Sequence, residues 1–221
     1  SGTLNTITNT RMIQATLTAN AAGAPTTGTA TAIDVSANTT GVTLMQDGVV
    51  VAGTAAANDT DGDGVPNLFE PAITGAVRLG SGNDVFDVRN GTVNGAIEFG
   101  AGADQLIISG GAVVSSALSD SDGLLDITVS DGTLAARQLT PLNISNLDIG
   151  ADGVLLVTLD PKNSTNSGFV VSGTATLADG AGLGLQFNSL IDTPERYTII
   201  QAGTLNYGAI DLSSVTDNSP Y

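Results

Sequence analysis

The sequence predicts an all-β chain folded as a right-handed parallel β-helix, a solenoid of stacked coils. Segments 75–93 (GAVRLGSGNDVFDVRNGTV) and 95–113 (GAIEFGAGADQLIISGGAV) superimpose after a shift of 20 residues. Each contains two short runs of alternating apolar and polar residues, separated by a turn of Gly, Asp and Asn. Aromatic residues make up only 4% of the chain and Trp is absent. A core of small and β-branched side chains suits thin layers of strands.

The N-terminal region has the same character in a less regular form. Segments 4–19 (LNTITNTRMIQATLTA) and 29–53 (TATAIDVSANTTGVTLMQDGVVVAG) alternate apolar residues with Thr, Asn and Gln. This alternation also predicts strands.

A third copy of the repeat, 117–134, follows the second after a shift of 21 residues. A repeat of about 20 residues cannot bury its own apolar face, so copies are expected to stack with equivalent strands paired in parallel. At about 20 to 22 residues per coil, the whole chain would make about ten coils. The matched residues are Leu106 with Ile127, Ile108 with Val129, and Gly111 with Gly132.

The C-terminal third contains longer and more apolar runs, interrupted by the polar segment 161–168 (PKNSTNSG). We therefore divide the chain into two parts. Residues 1–140 are predicted to form coils that carry an inserted acidic loop at 58–71. Residues 141–221 are predicted to form coils that pack differently.

Charge and composition limit the classes of partner and chemistry. The chain has 22 acidic and 6 basic residues and a net charge of −16. Nucleic acids and anionic membrane surfaces would repel it, whereas divalent cations are natural partners. No apolar run is long enough for a membrane-spanning helix. His and Cys are absent, which excludes Ser-His-Asp and Cys-His catalysis and disulfides, so the chain is not predicted to be an enzyme.

The acidic loop, residues 58–71 (NDTDGDGVPNLFEP), is the most charge-dense stretch. Residues 59–70 match the twelve-residue calcium-loop pattern D-x-[DN]-x-[DN]-G-x5-E. Ca²⁺ prefers about six to eight oxygen ligands, and this spacing can aim them at one point. The predicted ligands are the carboxylates of Asp59, Asp61, Asp63 and Glu70, the main-chain carbonyl of Val65, and the side-chain oxygen or a bound water of Asn67.

The surroundings of the loop differ from those of an EF-hand. The flanking sequences lack the 3.6-residue period of amphipathic helices, and Pro66 removes an amide inside the loop. The stretch instead resembles the isolated D-x-D-G-D-G-V-P-N loops of thrombospondin type-3 repeats, which bind Ca²⁺ without an EF-hand pair. A solvated acidic loop without metal is the alternative.

A second set of acidic residues lies in the repeats. The segments GSGNDVFDV (80–88) and GAGADQLII (100–108) resemble the nonapeptide of RTX proteins, in which stacked turns hold Ca²⁺. The resemblance makes Asp84 and Asp104 secondary calcium candidates. The alternative is a stack of Asp and Gly turns without metal, since RTX turns recur at a shorter interval.

The C-terminal third also resembles a known class of exported proteins. The patterns are G-x-L-x-V-x-L at 153–159, V-x-G-x-A-x-L-x-x-G-A-x-L at 171–183 and Y-x-I-I-x-A-G at 197–203. They are similar to the last coils of autotransporter passenger domains, the exported part of type V secreted proteins. The resemblance implies a β-helical stalk outside a Gram-negative cell, with a translocator barrel in the full-length outer-membrane protein.

Fold alone does not select the activity of such a passenger. The primary hypothesis is a structural or adhesin-like stalk stabilised by Ca²⁺, secreted or displayed at the cell surface, where a host or neighbouring cell would be its partner. One alternative is a β-helical enzyme that acts on polysaccharide with paired carboxylates. Another is an RTX-like secreted calcium-binding protein.

Overall fold

The structure is a computed structural model that describes residues 4–19, 23, 26–190 and 195–212. In these ranges the protein is all-β, and its only helices are single 3₁₀ turns at Ala56–Asn58, Asn67–Phe69 and Pro161–Asn163. The strands in chain order are β1 (Thr6–Asn9), β2 (Met12–Gln14), β3 (Thr31–Asp34), β4 (Thr43–Gln46), β5 (Ala72–Thr74), β6 (Ala76–Arg78), β7 (Val85–Val88), β8 (Thr92–Asn94), β9 (Ile97–Glu98), β10 (Gln105–Ile108), β11 (Val113–Ser116), β12 (Leu118–Ser119), β13 (Asp126–Val129), β14 (Thr133–Ala136), β15 (Pro141–Ile144), β16 (Asn146–Ile149), β17 (Val154–Asp160), β18 (Thr165–Asn166), β19 (Gly168–Leu177), β20 (Gly182–Phe187) and β21 (Ile200–Tyr207).

These strands form three sheets, which we call A, B and C. Sheet A has the order β1-β4-β7-β10-β13-β16-β19, with β15 and β21 also paired to β19. Sheet B has the order β18-β17-β14-β11-β8-β5-β2, with β20 paired to β17, and sheet C has the order β12-β9-β6-β3. All pairs are parallel except β17 with β18. From β7 to β12 the chain visits A, B and C in turn and then returns to A one strand further on.

The core lies between the sheets and consists of rows of apolar side chains, one from each strand. Parallel pairing in register places equivalent residues directly above one another. From β4 to β19 the members of the central row of sheet A are buried: Leu44, Phe86, Leu106, Ile127, Leu147 and Ala175. Sheet B contributes the corresponding row Ile73, Val93, Val114, Leu134 and Leu155. Stacking of like residues explains why the sequence repeats every 20 or 21 residues.

The register confirms the predicted repeat, with one correction. Leu106 pairs with Ile127 and Ile108 with Val129, as expected. The sequence match of Gly111 to Gly132 is wrong, because Val113 pairs with Thr133 and Ala112 therefore lies opposite Gly132. The turn after β10, residues 109–112, is one residue longer than the turn after β13, residues 130–132, and absorbs the difference.

We count one level for each strand position along sheet A. In the part of the chain that the structure describes, there are fewer levels than the predicted ten or so coils. The long row of sheet A has eight positions, ending at β19 and β21. Two segments lengthen the chain without adding a level: residues 47–71 between β4 and β5, and the hairpin of β17 and β18. After residue 141 the pattern changes, since β15 and β16 both pair with the long strand β19. The domain boundary at 140/141 stays a prediction.

Close stacking of the turns is expected to make Gly100 hard to replace. Gly100 has a φ of +82°, and a Cβ there would collide with the carbonyl oxygen of Gly80 in the preceding coil. Gly111 is a matched control, since it has a φ of +72° but nothing within 4 Å of its Cβ position. Gly100→Ala should therefore destabilise the protein by about 1 kcal/mol more than Gly111→Ala in urea unfolding. Equal losses would show that the turns are not tightly stacked.

Candidate metal centre

The acidic loop lies in an insert at one corner of the stack. Regular coils connect sheet A to sheet B by a short turn, as at 89–91 between β7 and β8. Between β4 and β5 the same corner contains residues 47–71, which we call the insert. Val65, only 2% exposed, packs against Gly48, and the Val51 N–H donates to the Gly64 carbonyl at 2.9 Å. The insert is thus folded back against its own base.

The three Asp at alternate positions form one cluster. Asp59, Asp61 and Asp63 each offer a carboxylate oxygen, and these oxygens lie within 4.8 Å of one another. The Asp59 carboxylate is held by the N–H groups of Gly62 at 2.8 Å and Gly64 at 3.0 Å. Both glycines have positive φ, at +79° and +88°, which lets the backbone wrap around the carboxylate. This cluster could hold a metal ion.

Glu70, at the end of the loop, is not among the carboxylates that lie within 4.8 Å of one another, but it is near enough for their charges to affect it. Its Oε1 is buried and has no hydrogen-bond partner among the described residues. Burial raises the pKa of Glu70 to about 7, and the charges of Asp63, Asp61 and Asp59 add to the rise. A buried carboxylate beside like charges is costly unless a proton or a cation neutralises it. Glu70 therefore adds a fourth carboxylate with an unused oxygen.

The two other predicted ligand residues, Asn67 and Val65, form hydrogen bonds within the loop. The Asn67 Oδ1 accepts from the Thr60 N–H at 3.0 Å, which ties the two arms of the loop together. The Val65 N–H donates to the Asp63 Oδ1 at 2.7 Å, so Val65 orients that carboxylate. Metal ligation by the Asn67 side chain and by the Val65 carbonyl stays a prediction.

The other side of the loop is fastened to the first coil. The Arg11 guanidinium, in the turn between β1 and β2, lies 3.9 Å from the centroid of the Phe69 ring. This cation–π contact fixes the residue immediately before Glu70. The position of Glu70 is therefore set by the stack as well as by the loop.

Asn90 is a site residue that sequence reasoning missed. It lies in the turn between β7 and β8, is 4% exposed, and donates through its Nδ2 to the Asp63 Oδ2. Its Oδ1 is buried without a partner in the described part of the chain. In the sequence, Asn90-Gly91 indicates only a turn, and no local signal shows that the insert packs onto it.

The secondary candidates form a separate buried row. The Asp84 carboxylate, 0% exposed, accepts from the N–H groups of Val42 at 2.6 Å and Gly80 at 3.0 Å. Asp104, 1% exposed, accepts through Oδ1 from the Asp84 N–H at 2.7 Å. Each carboxylate thus ties its own turn to the preceding coil.

Asp120 continues this row, and it brings a second unpartnered oxygen. The Asp120 Oδ2 accepts from the Leu125 N–H at 3.2 Å, while Asp120 Oδ1 and Asp104 Oδ2 have no partner among the described atoms. Burial raises the pKa of Asp104 to about 6, with the charges of Asp84, Asp120 and Asp122 adding to the rise. In the described ranges the only close group of three acids is that of the insert. Calcium at Asp84 and Asp104 stays a prediction.

If Glu70 is a calcium ligand, the affinity for calcium is expected to depend on pH. Calcium affinity should fall about tenfold between pH 8 and pH 6, because a carboxyl with a pKa of about 7 must lose its proton before it binds the ion. Calorimetric titrations at pH 6, 7 and 8 measure this. Glu70→Gln should bind more weakly at pH 8 and lose the pH dependence, and an unchanged wild-type affinity at pH 6 would rule out ligation by Glu70.

Comparisons with known proteins identify no relative. The chain matches no protein-family model, no characterised protein and no solved structure. Across the described residues, none of the helices has the length and hydrophobicity needed to cross a membrane.

Proposed function

We propose that the chain is a right-handed parallel β-helix that serves as a structural or adhesive stalk segment of a surface-displayed autotransporter passenger, and that Ca²⁺ bound by the insert stabilises it. The proposal is carried by the unbroken parallel pairing of sheet A from β1 to β19, together with the cluster of carboxylates in the insert at one corner.

The β-helix is supported by the order in which the chain visits the sheets. From β7 to β12 each return to a sheet adds the next strand in parallel, which is the path of a coil. Crossover connections between parallel strands are right-handed in about 98% of cases. Coils that contact only their neighbours form an elongated body, which suits a stalk.

A scaffold function is supported by how the polar groups are used. The interior is filled by rows of apolar side chains, and the interior carboxylates of Asp84 and Asp104 bind backbone amides of neighbouring coils. These carboxylates are too buried to meet a polysaccharide, so they give no support to the glycan-enzyme alternative. The C-terminal sequence patterns support the autotransporter assignment.

The donor set of the insert favours Ca²⁺ over other ions. All the clustered ligand atoms are carboxylate oxygens, which suit hard cations, whereas zinc sites typically use His and Cys. Mg²⁺ demands a near-ideal octahedron, while Ca²⁺ accepts irregular shells of six to eight oxygens at about 2.3–2.6 Å. An irregular loop that offers carboxylate oxygens therefore fits Ca²⁺ better than Mg²⁺.

Calorimetry on the chelator-treated chain tests the calcium assignment. We expect one strong site with a dissociation constant of about 10⁻⁴ to 10⁻³ M, the range of extracellular calcium modules, and much weaker binding of Mg²⁺. The variant with Asp59→Asn, Asp61→Asn and Asp63→Asn should show no binding in that range. Absence of binding by the wild-type chain up to several mM Ca²⁺ would overturn the assignment.

Surface display tests the passenger assignment. The chain would be placed between a signal peptide and an outer-membrane translocator barrel, and its exposure would be followed by protease added to intact cells. We expect export, and we expect residues 141–221 to be the most protease-resistant part. Retention in the periplasm, or loss of 141–221 before the rest, would contradict the proposal.

A further inference from the structure

We propose that Asn90 is an additional calcium ligand, so that the ion clamps the insert to the body of the stalk. This inference rests on the proposed calcium function and deepens it. The twelve-residue loop alone would form a site that protrudes from the stack. A ligand from the turn between β7 and β8 makes the same ion a joint between two parts of the chain that are far apart in sequence.

Asn90 is both buried and incompletely hydrogen-bonded. The side chain is 4% exposed and in contact with the Asp63 carboxylate, yet its Oδ1 has no partner among the described residues. A buried polar atom without a hydrogen bond costs about 1–3 kcal/mol. An amide oxygen is a standard calcium ligand, so a cation bound by Oδ1 would give this buried atom a partner.

Two residues with unpartnered side-chain oxygens lie next to the carboxylate cluster. Glu70 Oε1 and Asn90 Oδ1 are both buried without partners in the described structure, and both residues interact with Asp63. Without metal, the Asn90 amide turns its NH₂ group to Asp63. The oxygen and nitrogen of an amide are nearly equal in shape, so a half-turn of the group exchanges them and presents Oδ1 to the ion.

Hydrogen bonds from neighbouring levels of sheet A hold Asn90 in place. Its main-chain oxygen accepts from the Gln46 Nε2 at 2.9 Å, and Gln46 is 0% exposed. The Gln46 Oε1 in turn accepts from the Asn9 Nδ2 at 2.9 Å. Asn9, Gln46 and Asn90 belong to three successive levels of sheet A and the turns that follow them. An ion on Asn90 would therefore connect the insert to a column of amides that spans three coils.

Terbium luminescence tests ligation by Asn90 directly. Tb³⁺ replaces Ca²⁺, and its lifetimes in H₂O and D₂O give the number of bound waters. We expect Asn90→Ala to bind Tb³⁺ with one more water than the wild type and to bind Ca²⁺ about 10-fold more weakly. The control is Asn94→Ala, an exposed position in β8, which should change neither value. An unchanged water count in a folded Asn90→Ala variant would overturn the proposal.

Hydrogen exchange on the wild-type chain tests the clamp without any substitution. Calcium should slow exchange at residues 88–92 of the stalk as well as in the loop at 58–70. Protection confined to 58–70 would show that the ion does not join the insert to the stalk. If the wild type binds neither Ca²⁺ nor Tb³⁺, the calcium function itself fails, and that result is distinct from normal binding with no role for Asn90.

Discussion

Calcium at about 100 times its dissociation constant is expected to raise the free energy of unfolding by about 2.7 kcal/mol. The proposed site exists only in the folded chain, because folding brings carboxylate oxygens of Asp59, Asp61 and Asp63 within 4.8 Å of one another and Glu70 near enough for their charges to raise its pKa. The unfolded chain does not hold these groups together. For a domain of this size the gain corresponds to a midpoint rise of about 5–10 °C. Thermal unfolding with chelator and with about 10 mM Ca²⁺ measures it, given a dissociation constant of about 10⁻⁴ M.

The control variant separates specific binding from general screening of the net charge of −16. The variant with Asn at 59, 61 and 63 lacks the cluster but keeps most of the negative charge. It should gain little from Ca²⁺, and both proteins should respond equally to NaCl, because salt screens exposed charges without specificity. An equal gain from Ca²⁺ in the two proteins would show that the ion acts on the charged surface and not on the insert.

Much of the fold was predictable because stacking imposes a period on the sequence. Phe86 lies above Leu44 and below Leu106, and each of the three must be apolar to fill the same layer of the core. The same requirement holds at every level, so the repeat shows in the sequence. The changed packing at β19 is less visible, because a ten-residue strand that pairs with both β15 and β16 replaces two separate short strands.

The candidate site was predictable only within the loop. The alternate spacing of Asp59, Asp61 and Asp63 is a local property, and the structure brings them together as expected. Asn90 was not predictable, because its contact with Asp63 depends on how the insert folds back over the next coil. A sequence pattern can describe a loop that closes on itself, but it does not show which distant turn the loop covers.

The buried acidic row shows a related limit. Asp84 and Asp104 each come immediately before a strand of sheet A, and the third copy of the repeat has a residue at the same place. That place is occupied by Leu125, which is buried, and the acid comes instead from Asp120 in the preceding turn. The Leu125 N–H still needs an acceptor, and Asp120 supplies it from a different position in the sequence.

The row of carboxylates leads to an expected dependence of stability on pH. The pKa of Asp104 is raised from 3.8 to about 6 by burial and by the neighbouring carboxylates. Between these values the folded chain binds a proton at Asp104 that the unfolded chain has lost, so the free energy of unfolding must fall as pH rises. A rise of that size corresponds to at most about 3 kcal/mol. Solvent screening reduces the expected loss from Asp104 to about 2 kcal/mol.

Asp104→Asn is expected to remove this loss. An amide at 104 has the shape of the protonated acid and carries no charge, and its oxygen can accept from the Asp84 N–H as the carboxylate does. The variant should match the wild type below about pH 3.8, where Asp104 is protonated in both the folded and the unfolded chain, and exceed it by about 2 kcal/mol at pH 8 in urea unfolding. Asp148→Asn, at an exposed position of β16, is the control and should leave the wild-type pH profile unchanged.

A loss of stability in Asp104→Asn would indicate that a cation, and not a proton, neutralises the buried carboxylates of Asp104 and Asp120. If a cation binds between Asp104 and Asp120, both carboxylates are needed as ligands, and Asp104→Asn would lower stability at pH 8 in the presence of Ca²⁺. A proton between them requires the reverse, since only one of the two can be charged at low cost in a buried site. Measuring wild type and variant at pH 8 with and without Ca²⁺ therefore decides between the two. A gain on substitution that is independent of Ca²⁺ supports the proton, and a loss that appears only with Ca²⁺ supports the metal.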